Sequence, residues 1–320
     1  MTGTCGKIPL LVVAGPTAAG KSEVGLKITR QAGGEIVSAD SAQVYRYLDI
    51  GTAKPGREER KTVPHHLIDI IDLDEEFNVN TYKRLADKTI AEVHRRGKLP
   101  VLLGGTGLYL RAVIDNYAFS SRGKNEELRQ ELYRQAEIRG EEYLHRRLQE
   151  VDPVSAKKIS PSDKKRMVRA LEVYYTEGKP LSEQEEETRF RETPYELIYV
   201  GLYTSRDMLY RKIEERVDEM IRRGFLEEVK WLLQWYPPEA RGLQILGYRE
   251  LVCYLYGMMD WEETVEEIKK QTRRLAKRQL TWFRRDKRIV WLEHKPGETA
   301  RVVGEISNLL KEKACWETNI

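Results

Sequence analysis

Apolar residues come in short blocks through the first third of the chain. Leu10–Ala14, Glu35–Ala39, Leu67–Ile71 and Pro100–Leu103 read as buried strands. Between them, helical spacing follows Lys21 and runs from Asn80 to Arg96. Strand-helix alternation of this kind predicts an α/β fold, a parallel sheet with crossover helices on its faces. Ligands of such sheets bind at the carboxyl ends of the strands.

From about Tyr117 to Pro194 the pattern changes to Glu-, Arg- and Lys-rich sequence with helical spacing and almost no β-branched runs. Strand character returns at Leu197–Tyr203 and Arg288–Leu292. The expected organisation is a discontinuous core, residues 1–116 and 197–320, around an all-helical insertion at 117–196.

Composition narrows the class without choosing a function. A chain of 320 residues, 40% hydrophobic and 33% charged, can bury a sizeable core beneath a heavily solvated surface. A net charge of only +4 makes the distribution of charge matter more than its sum. No run approaches the roughly 20 apolar residues of a bilayer span. The first apolar block is expected to be a strand of the fold and not a secretory segment. Cys5, Cys253 and Cys315 are widely separated and form no C-x-x-C pair, which points away from a disulfide framework or zinc knuckle and toward a reducing cytoplasm. Nothing advertises a symmetric interface, so a monomer is expected.

The sharpest chemical signal follows the first strand. Gly15-Pro16-Thr17-Ala18-Ala19-Gly20-Lys21-Ser22 is a G-x-x-x-x-G-K-S loop between a buried strand and a helix. Successive backbone N–H groups and the positive helix end converge there on an anion. Lys21 would reach the terminal phosphates, and the Ser22 hydroxyl would sit on Mg²⁺.

Two further strand ends carry candidate groups. Glu35–Ala39 runs into Asp40-Ser41-Ala42-Gln43, where Asp40 serves equally as a base or metal ligand and as a helix N-cap. Pro100–Leu103 ends in Gly104-Gly105-Thr106-Gly107, where a ligand could approach closely and Thr106 would offer a hydroxyl and an N–H to phosphate; a plain turn is the alternative. Residues 269–288 hold ten Lys or Arg against the single acid Asp286. On a helix Arg273, Lys277, Arg284 and Arg288 would share a face, as a grip on polyanion or simply as a solvated surface. Lys164, Lys165, Arg166 and Arg169 form a second basic cluster in the insertion. His65-His66 lacks a third ligand at regular spacing, which favours hydrogen bonding over zinc.

Together these segments closely resemble the bacterial tRNA dimethylallyltransferases, the IPP transferase family. The matching segments, in the family's order, are residues 15–22, Asp-Ser-Ala-Gln-Val-Tyr-Arg (40–46), Val-Pro-His-His-Leu-Ile-Asp (63–69) and Gly-Gly-Thr-Gly-Leu-Tyr (104–109). Arg-Ala-Leu-Glu-Val (169–173), Leu-Gly-Tyr-Arg-Glu (246–250) and Ala-Lys-Arg-Gln-Leu-Thr-Trp-Phe (276–283) complete the set. The resemblance implies a P-loop NTPase-like core that holds the diphosphate of dimethylallyl diphosphate in place of ATP. It further implies transfer of the dimethylallyl group to N6 of the adenosine 3′ of the anticodon, position 37, in tRNAs reading codons that begin with U. By analogy Asp40 would accept or orient the N6 proton. Lys21, the loop amides, Thr106 and Arg216 would neutralise the leaving pyrophosphate, aided by Mg²⁺ near Ser22. Arg216 rests on a loosely matched segment, 216–221, and an exposed helical salt bridge is its alternative. Asp40, Ser41, Ala42, Gln43 and Thr106 would meet the target base. The basic groups of segments 164–169 and 273–284, Arg278 included, would surround the anticodon stem-loop. A Cys/His zinc module found at the C-terminus of eukaryotic relatives has no counterpart around Cys315.

Three rivals make different predictions. A P-loop small-molecule or nucleotide kinase would turn over ATP, and it leaves both basic clusters unexplained. A transferase for free adenine nucleotides would need neither the insertion nor the basic helix. A non-catalytic RNA-binding protein would have no use for Asp40 and Thr106 beside the phosphate loop.

Overall fold

The computed structural model describes residues 6–119, 124–189 and 191–313. Cys5 and Cys315 therefore lie outside the described residues. The chain divides into two compact units, Met1–Ile114 with Pro194–Ile320, and Asp115–Thr193.

The first unit is built on six strands: β1 (Ile8–Ala14), β2 (Glu35–Ser38), β3 (His65–His66), β4 (Pro100–Gly104), β5 (Tyr195–Tyr203) and β6 (Val290–Glu293). All neighbouring pairs are parallel, in the order β3-β2-β4-β1-β5-β6. Helices α1 (Lys21–Gln31), α2 (Arg57–Thr62), α3 (Val79–Arg95) and α4 (Gly107–Ile114) fall between the first strands. The second unit holds α5 (Glu126–Arg139), α6 (Glu141–Val151), α7 (Pro153–Lys158), α8 (Lys164–Glu177) and α9 (Leu181–Arg189). The first unit then resumes with α10 (Arg206–Arg222), α11 (Phe225–Leu232), α12 (Tyr248–Leu255), α13 (Trp261–Phe283) and α14 (Thr299–Glu312).

Alternation along β1 explains why the sheet needs helices on both sides. Leu10, Val12 and Ala14 point to one face and join Tyr82, Ala86 and Ile90 of α3 with Leu110 and Val113 of α4. Leu11 and Val13 point to the other and join Val24 and Ile28 of α1 with Val302 and Ile306 of α14. A third cluster unites α10 to α13 with Val44, Leu48 and Leu73. In the second unit Leu132, Leu144, Leu148, Met167 and Leu171 form a separate core.

The structure corrects two strand assignments. Leu67–Ile71 is not a strand: only His65 and His66 pair with Ile36 and Val37. Leu67 and Asp69 take positive φ of 61° and 58°, which turns the chain out of the sheet, and Ile71 keeps a single bridge to Tyr45. Likewise β6 begins at Val290, because Arg288 folds back on Asp286 with Nε 2.9 Å from Oδ1. At its start β5 takes in Tyr195 and Glu196, which pair with Ile8 and Pro9, so the strand begins inside the stretch read as insertion.

The register places the chemistry. Ala14 lies beside Gly104, and Ser38 beside Leu103, so β1, β2 and β4 end side by side. The loops that leave them are the phosphate loop, Asp40–Gln43 and Gly105–Thr106.

Candidate active site

These three loops line a cavity of about 550 Å³ within the first unit. The phosphate loop contributes Thr17, Lys21 and Ser22, the second loop Asp40 to Gln43, and the third Gly104 to Thr106. Opposite them stand Gly51 to Pro55, Arg216, Val217, Met220 and Arg223 of α10 and its end, Phe225, and Thr272, Leu275, Arg278 and Gln279 of α13. The lining is thus cationic at the phosphate loop and apolar along Val217, Met220, Phe225, Ile245 and Leu275.

The phosphate loop is held by its neighbours as well as by its own sequence. Gly20 has φ of 90°, and a Cβ there would lie 2.2 Å from Nδ1 of His294, so only glycine fits. The buried His294 donates from Nδ1 to the Ala19 carbonyl at 3.0 Å, and its Nε2 lies 3.0 Å from Thr299 Oγ1. Ser22 opens α1 and is exposed to the cavity.

Lys21 donates from Nζ to the Pro16 carbonyl at 2.6 Å. Burial, and next the Arg216 guanidinium, lower its pKa from 10.5 to about 7, while Asp40 partly opposes them. Arg216 sits on the inner side of α10, with Nη2 3.5 Å from the Thr52 carbonyl and no ion pair among the described residues. Burial lowers its pKa too, against the opposing pull of Asp40. The exposed salt-bridge alternative for Arg216 therefore falls.

Asp40 is not a helix N-cap. Its Oδ1 accepts the N–H groups of Ala42 at 2.8 Å and Gln43 at 3.4 Å, yet no helix follows, so it closes a turn and not a helix. Thr106 corrects one expectation. Its N–H donates to the Ala39 carbonyl at 3.1 Å, so that N–H is not offered to phosphate. The hydroxyl oxygen accepts the Ser41 N–H at 3.0 Å and donates to Ser41 Oγ at 3.3 Å, which ties the second and third loops together. Ala42 lines the cavity, as does Gln43, whose amide is anchored to Ser38 Oγ and the Thr52 carbonyl.

The basic candidates separate into free and engaged groups. Lys277, Arg278 and Arg284 are exposed and make no ion pair among the described residues; Arg278 also lines the cavity. Arg273 does not belong with them: it pairs with Glu214 at 2.9 Å and Glu266 at 2.7 Å. Nor does Arg288 share their face: Arg284 caps α13 in helical conformation, whereas Arg288 lies beyond the cap and pairs with Asp286 at 2.6 Å. In the second unit Arg169 joins Arg129 on the buried Glu172; burial is the largest single influence on its pKa and raises it, but the two guanidinium bonds and the Asn125 N–H together hold it below the usual value. Arg166 pairs with Asp163 and Lys164 with Glu141, leaving Lys165 exposed. His66 is bonded to Glu35 and His65 to the Val63 carbonyl.

Four residues that shape the site had no role assigned from the sequence, and only Gln279 lies in a matching segment, 276–283. Glu228 accepts the N–H groups of Asp49, Ile50 and Gly51, with the Tyr248 hydroxyl at 2.6 Å, and so organises one cavity wall. Lys54 is buried and bonds Asp49, Asp69 and the Tyr45 carbonyl. Arg223 lines the cavity, and Gln279 bonds two of its loops. Only Gln279 left a sequence signal, as a member of segment 276–283.

The oxygen donors suit Mg²⁺ held largely by a ligand's phosphates. Ser22 and Asp40 line the cavity, whereas Asp69 is engaged by Lys54 and Arg60, and Asp72 by Arg46. No cluster of three or more His, Cys, Asp or Glu able to hold a metal occurs among the described residues. Mg²⁺ is commonly held by one or two protein oxygens together with substrate phosphates and water. Also among the described residues, no helix is long and apolar enough to cross a membrane.

Sheet, loop and cavity define a P-loop-type α/β protein whose phosphate-loop sequence faces a partly apolar chamber, with the Asp40 carboxylate near Lys21 and Arg216. The family model described as IPP transferase matches residues 43–286. A tRNA dimethylallyltransferase of Symbiobacterium thermophilum is 49% identical over 308 residues, 96% of each chain. One from Moorella thermoacetica is 49% identical over 95% of each. Among solved structures, the tRNA isopentenylpyrophosphate transferase of Bacillus halodurans matches with TM-score 0.71 and 38% identity, over 96% of this chain and 98% of that one. A eukaryotic dimethylallyltransferase acting on tRNA gives TM-score 0.83 at 27% identity, over 98% and 81%. The chain belongs to the IPP transferase family.

Proposed function

We propose that this protein is a tRNA dimethylallyltransferase. It moves the dimethylallyl group of dimethylallyl diphosphate to N6 of the adenosine 3′ of the anticodon, position 37, in tRNAs reading codons that begin with U. The observation that carries this reading is the convergence of Lys21, Arg216, Thr106 and Asp40 in one chamber beside the phosphate loop. Membership of the family supports it.

An exocyclic adenine amine is a weak nucleophile, because its lone pair is delocalised into the ring. The barrier must therefore fall through the leaving group and the proton. The N6 lone pair forms a bond to C1 of the donor as the C1–O bond breaks, and the bond's electrons leave on the diphosphate oxygen. Lys21, Arg216 and the amides around Gly20 hold that charge; the carboxylate of Asp40 takes the N6 proton. Thr106, bonded to Ser41, keeps the Asp40 loop in register with the Gly105–Thr106 loop. Ser22 and the diphosphate oxygens would hold Mg²⁺, which supplies further charge neutralisation to the departing pyrophosphate.

A base stacked in an anticodon loop hides its amine, so the nucleotide must turn out into the chamber, at a cost of a few kcal/mol. Residues 40–43 and Arg278 then meet the base and its flanking phosphate, and Lys277 and Arg284 meet the anticodon arm. Lys165 and the adjoining insertion helices add contacts to the stem-loop. The protein acts as a monomer in the cytoplasm.

The test mixes purified chain, Mg²⁺ and radiolabelled dimethylallyl diphosphate with unmodified tRNA bearing adenosine 3′ to its anticodon, beside the same tRNA with guanosine there. Label in the adenosine tRNA alone is the expected result. Absence of label, with ATP turnover on a small acceptor, would instead establish the kinase reading.

A further inference from the structure

Gln279 stands where the basic helix α13 meets the phosphate loop. Its Oε1 accepts the Thr17 N–H at 2.8 Å, and its Nε2 donates to the Gly105 carbonyl at 3.0 Å. The two partners fix the amide's orientation, since one can only donate and the other only accept. Gly105 leaves room for it: a Cβ there would lie 2.5 Å from Nε2. Thr17 is the third residue of the loop. A ligand seated on the helix end is cradled by the loop amides and by Lys21. A phosphate chain lengthened from that end back along the loop reaches the Thr17 amide with its far group.

We propose that Gln279 closes the phosphate loop at Thr17 and limits the site to two phosphates, making it a specificity-determining residue that admits a diphosphate and turns away a triphosphate. The argument rests on the loop being the diphosphate site of the reaction proposed above. A third phosphate would have to displace Oε1 from the Thr17 N–H, and until it did so it would face the negative end of the amide dipole. Displacement would also break the bond to Gly105 and so loosen the register between the loops that carry Lys21 and Thr106. A diphosphate meets no such obstacle, because its charges remain at the Gly20–Ser22 end.

The test is calorimetric titration of the full chain, in Mg²⁺, with inorganic pyrophosphate and with tripolyphosphate. The unaltered protein is expected to bind pyrophosphate more tightly. Gln279→Ala frees the Thr17 N–H, a donor worth about tenfold or more in affinity for a charged acceptor, so the ratio shifts by that amount toward tripolyphosphate. Gln279→Glu keeps an acceptor on Thr17 and adds a negative charge, so it should bind both probes more weakly without that shift. An unchanged ratio in Gln279→Ala, or parallel loss of both probes, would overturn the assignment and leave Gln279 as a support for loop register only. Binding of dimethylallyl diphosphate to the unaltered chain is measured alongside. Its absence counts against the proposed donor, whereas an unchanged ratio counts against Gln279 alone.

Discussion

Lys21 makes donor binding a proton-coupled event. Burial, and next the Arg216 guanidinium, lower its pKa to about 7, against an ordinary value of 10.5. A bound diphosphate supplies the counter-charge that burial withholds, and so raises that pKa again. Binding above pH 7 must therefore take up a proton, and affinity must fall as pH rises. The charged fraction of a group with pKa about 7 drops from about one half at pH 7 to about one in a hundred at pH 9, so affinity should weaken about fifty-fold. The donor's own last phosphate ionisation lies near 6 and contributes little over that range. Calorimetry with dimethylallyl diphosphate, in two buffers of different ionisation enthalpy, should show uptake approaching one proton at pH 9 and little at pH 5.5. Arg216→Leu removes the second-largest cause of the shift, so the onset should move to higher pH. Flat affinity between pH 7 and 9, or proton uptake that persists in Lys21→Met, would refute the reasoning.

The remaining expectations concern catalysis, RNA and stability. Asp40→Asn keeps an acceptor for the Ala42 N–H, so donor binding should survive while transfer to tRNA falls on the order of 10²–10⁴-fold in single-turnover assays. Lys277→Ala and Arg284→Ala should each lower the salt slope of tRNA binding by about one, whereas Arg273→Ala, already paired with two glutamates, should change it much less. Glu228→Ala strands three backbone N–H groups and the Tyr248 hydroxyl; denaturant unfolding should register a loss of about 1–3 kcal/mol. Lys21→Met should melt higher than the unaltered chain at pH 6, where the enclosed lysine is charged, even as donor binding is lost.

Much of this protein could be read from contiguous residues, because contiguous backbone performs those tasks. The phosphate loop, the Asp40 turn and Gly104-Gly105-Thr106 are local designs, and the strands that deliver them announce themselves by apolar blocks. Where the sequence failed was equally physical. Leu67–Ile71 is apolar for the sake of packing, since Leu67 and Ile71 fill separate cores while positive φ at Leu67 and Asp69 breaks the strand. Charge runs could not reveal every engaged cation: Arg273 meets Glu214 of α10, and Glu172, three residues from Arg169, is shared with Arg129 of α5, partners that only packing brings near. The placing of Arg216 inside the chamber depends on which face of α10 the third core cluster buries. Gln279 and His294 hold the phosphate loop across 262 and 275 residues of chain. Contacts at that separation belong to the folded chain, because no local propensity encodes them; the sequence by itself determined a glycine-rich turn between strand and helix that carries Lys21 and Ser22, and the tertiary structure decided what closes around it.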